Sequence, residues 1–97
     1  MKIKVISRRI FRLDKKDRLI PLFKKLRQSA EKQEGFISRS TCSSIENSGE
    51  CLVISEWESV DQWTQWMNRK ENKQTQGEID SLIGEKTFFD IYREEDF

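Results

Sequence analysis

The chain has no histidine, two cysteines, one proline and four glycines among its 97 residues. Each shortage closes off some chemistry. Without histidine there is no Ser-His-Asp or Cys-His nucleophilic system, and no histidine-ligated zinc, iron or haem. Cys42 and Cys51 alone make a poor zinc site. They fall in neighbouring predicted strands, and one pair in a chain without a leader implies free thiols in a reducing cytoplasm. The glycines, Gly35, Gly49, Gly77 and Gly84, are scattered, so no glycine-rich phosphate loop exists. No stretch approaches the roughly 20 apolar residues of a membrane span. The start, Met1-Lys2-Ile3-Lys4-Val5, lacks the apolar core of a signal peptide. The expectation is a cytoplasmic protein with no membrane partner and no metal.

Charge of one sign is also missing. The net charge of +1 gives no general pull toward nucleic acid or acidic lipid. Basic residues do gather early, from Lys2 to Arg18, and Glu94, Glu95 and Asp96 answer them at the other end. These read as solvated faces and chain ends, with no nucleic-acid partner. What remains is one domain, residues 1–97, lean in apolar residues (35%) and rich in charge (36%). Either its helices have very polar outer faces, or it completes a thin core against a partner chain.

Residues 2–12 read as a strand in which Ile3 and Val5 occupy one face and Ile6 and Ile10 the other. Asp14 or Asp17 can cap the helix that follows, whose apolar stripe is Leu19, Ile20, Leu22, Phe23, Leu26 and Ala30. Pro21 fits only a first turn, which predicts a helix beginning close before it and ending at Gly35. Residues 36–45 form a Ser/Thr-rich strand suited to a sheet edge, and Glu46-Asn47-Ser48-Gly49 is a turn. The strand 51–57 is apolar on both faces. Ser59 and Gln62 have capping-box spacing, predicting a helix from Val60 to about Lys70. A polar helical piece spans about Lys73 to Ile83 and stops at Gly84, and a strand runs from Lys86 to Arg93 with aromatics on both faces.

This order, β-α-β-β-α-β, predicts an α+β, ferredoxin-like split β-α-β fold. Helices cover one face of such a sheet. The two-faced apolar strands require a cover on the other, and a second copy would supply it, giving a homodimeric α/β barrel. All three tryptophans, Trp57, Trp63 and Trp66, lie within eleven residues at one strand-to-helix corner. Such a corner either seals a core or walls a pocket for a flat apolar ligand.

Several stretches together resemble the antibiotic-biosynthesis-monooxygenase family of small dimeric α+β barrels. They are Leu19-Ile20-Pro21-Leu22 with Leu26-Arg27, then Glu34-Gly35-Phe36-Ile37-Ser38, and above all Leu52-Val53-Ile54-Ser55-Glu56-Trp57-Glu58-Ser59 leading to Trp63, Trp66, Met67 and Asn68. The resemblance covers nearly the whole chain and speaks for the fold more than for one reaction. The family includes cofactor-free oxygenases of aromatic polyketides, quinol oxygenases and haem-degrading enzymes. In the haem-degrading members an Asn, a Trp and a His ten residues after that Trp carry the function. The matching positions here are Ser7, Trp66 and Gln76. Glutamine is no haem-iron ligand, which argues against haem degradation.

The resemblance therefore implies a small monooxygenase independent of metal, flavin or other cofactor, acting on an aromatic or quinol-like small molecule. Ser7, Trp66 and Gln76 are the catalytic candidates, with no definite base. The pocket candidates are Arg9, Phe23, Trp57, Trp66, Asn68, Phe88 and Tyr92. Trp63 is expected in the core. Trp57 also reads as a sheet-edge cover, Asn68 as an ordinary helix-end residue, Arg9 as a snorkelling side chain and Tyr92 as a core or dimer-face aromatic. The alternative reading is a non-enzymatic binding or sensing module that uses the same pocket.

Overall fold

The computed structural model describes residues Met1–Phe97. The elements follow in the order β1 (Ile3–Ile10), α1 (Lys16–Glu31), β2 (Phe36–Ser43), β3 (Glu50–Trp57), α2 (Val60–Met67), α3 (Lys70–Ile83) and β4 (Phe89–Arg93), with a 3-10 turn, Leu13–Lys15, before α1. The four strands form one antiparallel sheet in the order β2-β3-β1-β4. This is the ferredoxin-like α+β arrangement expected. Alternation divides every strand between two faces. On β1 the residues Ile3, Val5, Ser7 and Arg9 are buried against the helices, while Lys4, Arg8 and Ile10 are exposed on the other face. The core cluster joins Ile3 and Val5 to Leu19, Leu26 and Ala30 of α1, Trp57, Trp66 and Ile79.

Helix boundaries depart from the sequence expectations in instructive ways. α1 starts at Lys16 with Pro21 already in its second turn. Pro21 is exposed, and Leu19, fully buried, anchors the turn that precedes it. The packing of Leu19 outweighs the one backbone hydrogen bond that proline forfeits. Neither Asp14 nor Asp17 caps; they lie in the first turns of the 3-10 segment and of α1. α1 ends at Glu31, and Gly35, at φ +93°, makes the later turn into β2. There Gln62 crowds the position a Cβ would take, so the turn tolerates only glycine. Ser59 caps α2 as expected, Gln62 N donating to Ser59 Oγ at 3.3 Å, while the Gln62 side chain accepts from Ser59 Oγ at 3.1 Å rather than from the Ser59 backbone N–H of a full capping box.

β4 is shorter than expected, because Lys86–Phe88 stay off the sheet. Thr87 N and Oγ1 both donate to Asp80 Oδ1, at 3.2 and 2.7 Å, which ties this segment to α3 instead. Both thiols are free. Cys51 pairs in register with Ser43, and Cys42 with Leu52, so the two cysteines point to opposite faces and cannot bridge.

Candidate functional site

Beneath α2 and α3, on the helix-covered face of the sheet, lies a cavity of about 30 Å³. Its wall is mostly apolar: Val5, Val53, Leu26, Met67, Phe89 and the three tryptophans. The strand-to-helix corner explains why the tryptophans meet. Trp57 is the last inward residue of β3, and α2 turns back at once over the sheet. Trp57 and Trp66 rings pack at 5.4 Å between centroids, and Trp63 meets Phe89 edge-on at 5.5 Å. Trp57 is 1% exposed and Trp66 5%. Trp66 Nε1 donates to Ser29 Oγ of α1 at 3.2 Å. Trp63, expected in the core, is only half-buried and stands at the cavity rim.

The polar part of the wall comes from the far end of β1, from Arg39 of β2 and Ser55 of β3, and from Gln76 of α3. Along β1 the buried row changes from Ile3 and Val5 to Ser7 and Arg9. Arg9 is 3% exposed. Its guanidinium lies over the Phe23 ring, 5.1 Å from the centroid, and Nη2 donates to Gln76 Oε1 at 3.3 Å. Gln76 in turn donates from Nε2 to Asp80 Oδ1 at 2.9 Å and to Thr87 Oγ1 at 3.0 Å. Arg9 can only donate, so chemistry fixes the Gln76 amide with its oxygen toward Arg9. Arg9 Nε and Nη1 have no hydrogen-bond partner, nor does Arg39 Nε.

Burial depresses both guanidinium pKa values. Desolvation dominates for each; Arg39 is brought to about 10, with Arg9 and Arg27 adding repulsion. Neither arginine takes part in an ion pair. Arg9 is a desolvated cation with no ion-pair partner, only the more distant charge of Asp80 beyond Gln76, an expensive arrangement of the order of several kcal/mol; Arg39 is half-buried. Burial raises the thiol pKa of Cys51, the in-register neighbour of Arg9, and the two arginines only partly oppose that rise. Cys51 therefore stays a neutral thiol near neutral pH and offers them no negative charge.

Of the residues singled out from sequence, Ser7, Arg9, Trp57, Trp66 and Gln76 line this one cavity. Phe23 sits behind Arg9 and outside the lining. Three others lie elsewhere. Asn68 is exposed at the end of α2; Phe88, in the segment held off the sheet, is 77% exposed. Tyr92 pairs with Lys4 on the opposite face of the sheet and is 56% exposed. Arg39, Ser55, Met67 and Phe89 line the cavity without having been picked out. Strand alternation could have found Arg39 and Ser55, which are in register and inward on β2 and β3. Asn72 was also passed over; its Nδ2 donates to Trp66 O at 2.7 Å and fixes the α2–α3 junction.

Haem does not fit these residues. Gln76 has both ends of its amide engaged by protein groups, and Tyr92 is on the wrong face. No group of three or more Cys, Asp or Glu side chains is placed to hold a metal ion.

The family model for antibiotic biosynthesis monooxygenase matches residues 3–78. No curated protein matches the sequence. Solved structures do match in fold. A conserved protein from Methanosarcina mazei Go1 has a TM-score of 0.90 at 21% identity, covering 98% of this chain and 94% of that one. Rv0793 from Mycobacterium tuberculosis has 0.87 at 15%, covering 100% and 98%. SnoaB from Streptomyces nogalater, described as a cofactor-independent oxygenase, has 0.83 at 9%, covering 99% and 95%. At these identities the likeness is one of fold, and the family model supplies the membership: the chain belongs to the antibiotic biosynthesis monooxygenase family.

Proposed function

We propose that the protein is a monooxygenase needing no metal, flavin or other cofactor, and that its substrate is a small aromatic or quinol-like molecule. The observation that carries this reading is a single buried cavity in which three tryptophans face Ser7, Arg9 and Gln76. A deprotonated phenol or hydroquinone is itself the reductant. It passes two electrons to dioxygen to form a ring hydroperoxide; cleavage of the O–O bond then takes two more electrons from the same carbon, leaving one oxygen atom as a ring carbonyl and releasing the other as water with two hydrogens of the substrate, a four-electron oxidation overall. The protein's part is to hold the ring, exclude water and stabilise the anion. Ser7, Arg9 and Gln76 are placed for the last task and the tryptophans for the first two. A cavity of 30 Å³ has room for about two waters. Ligand sites are roughly 300–1,000 Å³, so the wall of this cavity must part to admit a ring.

One observation favours the second reading, a binding or sensing module. No Asp, Glu, Lys, Tyr or Cys lines the cavity, so no side chain there is an evident base. Oxygen uptake separates the two readings. With a naphthohydroquinone or 1-naphthol, after chelation and without flavin, the enzyme consumes one dioxygen per product. Saturable binding without uptake leaves the binder; no binding removes both.

The protein acts as a homodimer on this reading. The uncovered sheet face carries Ile6 beside Ile54, with Leu52 and Tyr92 nearby, and the ion pairs Arg8–Glu50 and Lys4–Glu56 flank them. A self-complementary apolar patch with charges of both signs at its margin suits a two-fold interface. Phe89 and Ile91 are in register with Ser7 and Val5 and belong to the helix side, so Ile54 and Tyr92 are the residues to test. Sedimentation equilibrium should give twice the 11.6 kDa chain mass, and Ile54→Asp should give the monomer or an aggregate. A wild-type monomer with cooperative unfolding ends the barrel reading.

A further inference from the structure

We propose that the ligand of this cavity is an aromatic carboxylate, its carboxylate held by Arg9 and Arg39 and its ring laid against Trp57, Trp63 and Trp66. The proposal rests on the reading that the cavity takes an aromatic molecule, and it adds the charge that the molecule must bear. Three N–H-bearing nitrogens, Nε and Nη1 of Arg9 and Nε of Arg39, are buried without a partner at a cavity both arginines line. Five ion pairs occur in the protein and neither arginine belongs to one. The acid that reaches Arg9 through Gln76 is Asp80, whose Oδ1 is taken by Gln76 and Thr87. Buried Arg9 and half-buried Arg39 thus have no ion-pair partner within the chain, and an anion from outside it would supply one. Guanidinium forks match the two oxygens of a planar carboxylate, whereas a phenolate has one oxygen to share among these donors. The apolar remainder of the wall suits a ring and not a strongly hydrated dianion such as phosphate.

A route to the site has the same sign. Between α1 and β2 a surface groove of about 210 Å³ is lined by Ile20, Phe23, Lys24, Arg27, Arg39 and Thr41. Arg39 belongs to both groove and cavity, and Phe23 supports Arg9 from the groove side. An anion attracted by Lys24 and Arg27 is thus delivered to Arg39 and then Arg9.

Calorimetric titration of the whole protein with 1-hydroxy-2-naphthoate and with 1-naphthol tests this, with inorganic phosphate as a control. The acid should bind at least about tenfold more tightly than the naphthol, as charge-assisted bidentate bonds to a buried cation predict. Arg9→Met should bring the ratio of the two dissociation constants to about one, and Arg39→Met, nearer the surface, should lower it. A purely structural arginine would change melting temperature and leave that ratio alone. Equal binding of acid and naphthol by the wild type overturns the proposal and spares the oxygenase reading. So does a ratio that survives both substitutions, or phosphate binding as tight as the acid's. Binding of the acid without oxygen uptake keeps the proposal and removes the oxygenase reading. Failure of both naphthyl ligands to bind removes both.

Discussion

Helices α1 and α3 lie side by side over the same sheet face, yet they bury opposite kinds of surface. α1 buries Leu19, Leu26 and Ala30; α3 buries Asn72, Thr75 and Gln76 beside a single aliphatic residue, Ile79. By periodicity α3 looks like a poor helix to bury, since most of its inward positions are polar. Its buried polar groups are nevertheless matched: Asn72 to Trp66 O, Thr75 Oγ1 to Glu71 O, Gln76 to Arg9, Asp80 and Thr87. The lesson is that α1 supplies apolar packing, with Leu26 and Ala30 serving both core and cavity wall, whereas α3 supplies the polar network that holds Gln76 at the cavity. A polar helix face turned inward and satisfied group by group is kept for what it touches, because aliphatic residues of like volume would hold the fold at least as well.

The comparison can be broken by substitution. The largest loss is expected on the α1 side, where Leu26→Ala should cost about 2–5 kcal/mol in a denaturant titration, the usual range for a buried leucine. If α3 is a site rather than a support, Gln76→Leu should cost less, roughly 1–3 kcal/mol, for the partners it leaves unsatisfied, while abolishing ligand binding. A Gln76→Leu protein as damaged as Leu26→Ala, or one that binds normally, would erase the distinction. Trp66→Phe should follow at about 1 kcal/mol, because the main loss is its hydrogen bond to Ser29 Oγ. It should also weaken naphthol binding, and a loss as large as that of Leu26→Ala would make Trp66 core alone. The smallest change, about 1 kcal/mol or less and without effect on ligand, is expected for Ser59→Ala, which removes the α2 cap.

Much of this was legible in the chain. Strand alternation, the Ser59–Gln62 cap and the tryptophan corner placed the sheet, α2 and the lining residues Arg9, Trp57 and Trp66, since those signals are local; Ser7 and Gln76 came from the family resemblance. The start of α1 was misread because Pro21 is a strong local signal and the burial of Leu19 is not local at all. Phe88 and Tyr92 were drawn into the pocket by residue type. Only the pairing of Tyr92 with Lys4 and the tether of Thr87 to Asp80 reveal that both lie outside it. Arg39 was lost among the many surface arginines of a chain with 36% charged residues.

The sequence by itself determined the element order, the two-faced strands and the absence of any histidine chemistry, because periodicity, composition and motif spacing are properties of the chain, and its resemblance to known stretches pointed to the family. The tertiary structure alone decided that Arg9 and Arg39 line one cavity with the tryptophans and that neither has an ion-pair partner. Residues 30 positions apart, on strands separated by β3 and offset by four residues in register, reach one cavity only because sheet and helices together enclose it, and whether a buried cation is paired depends on every element packed around it.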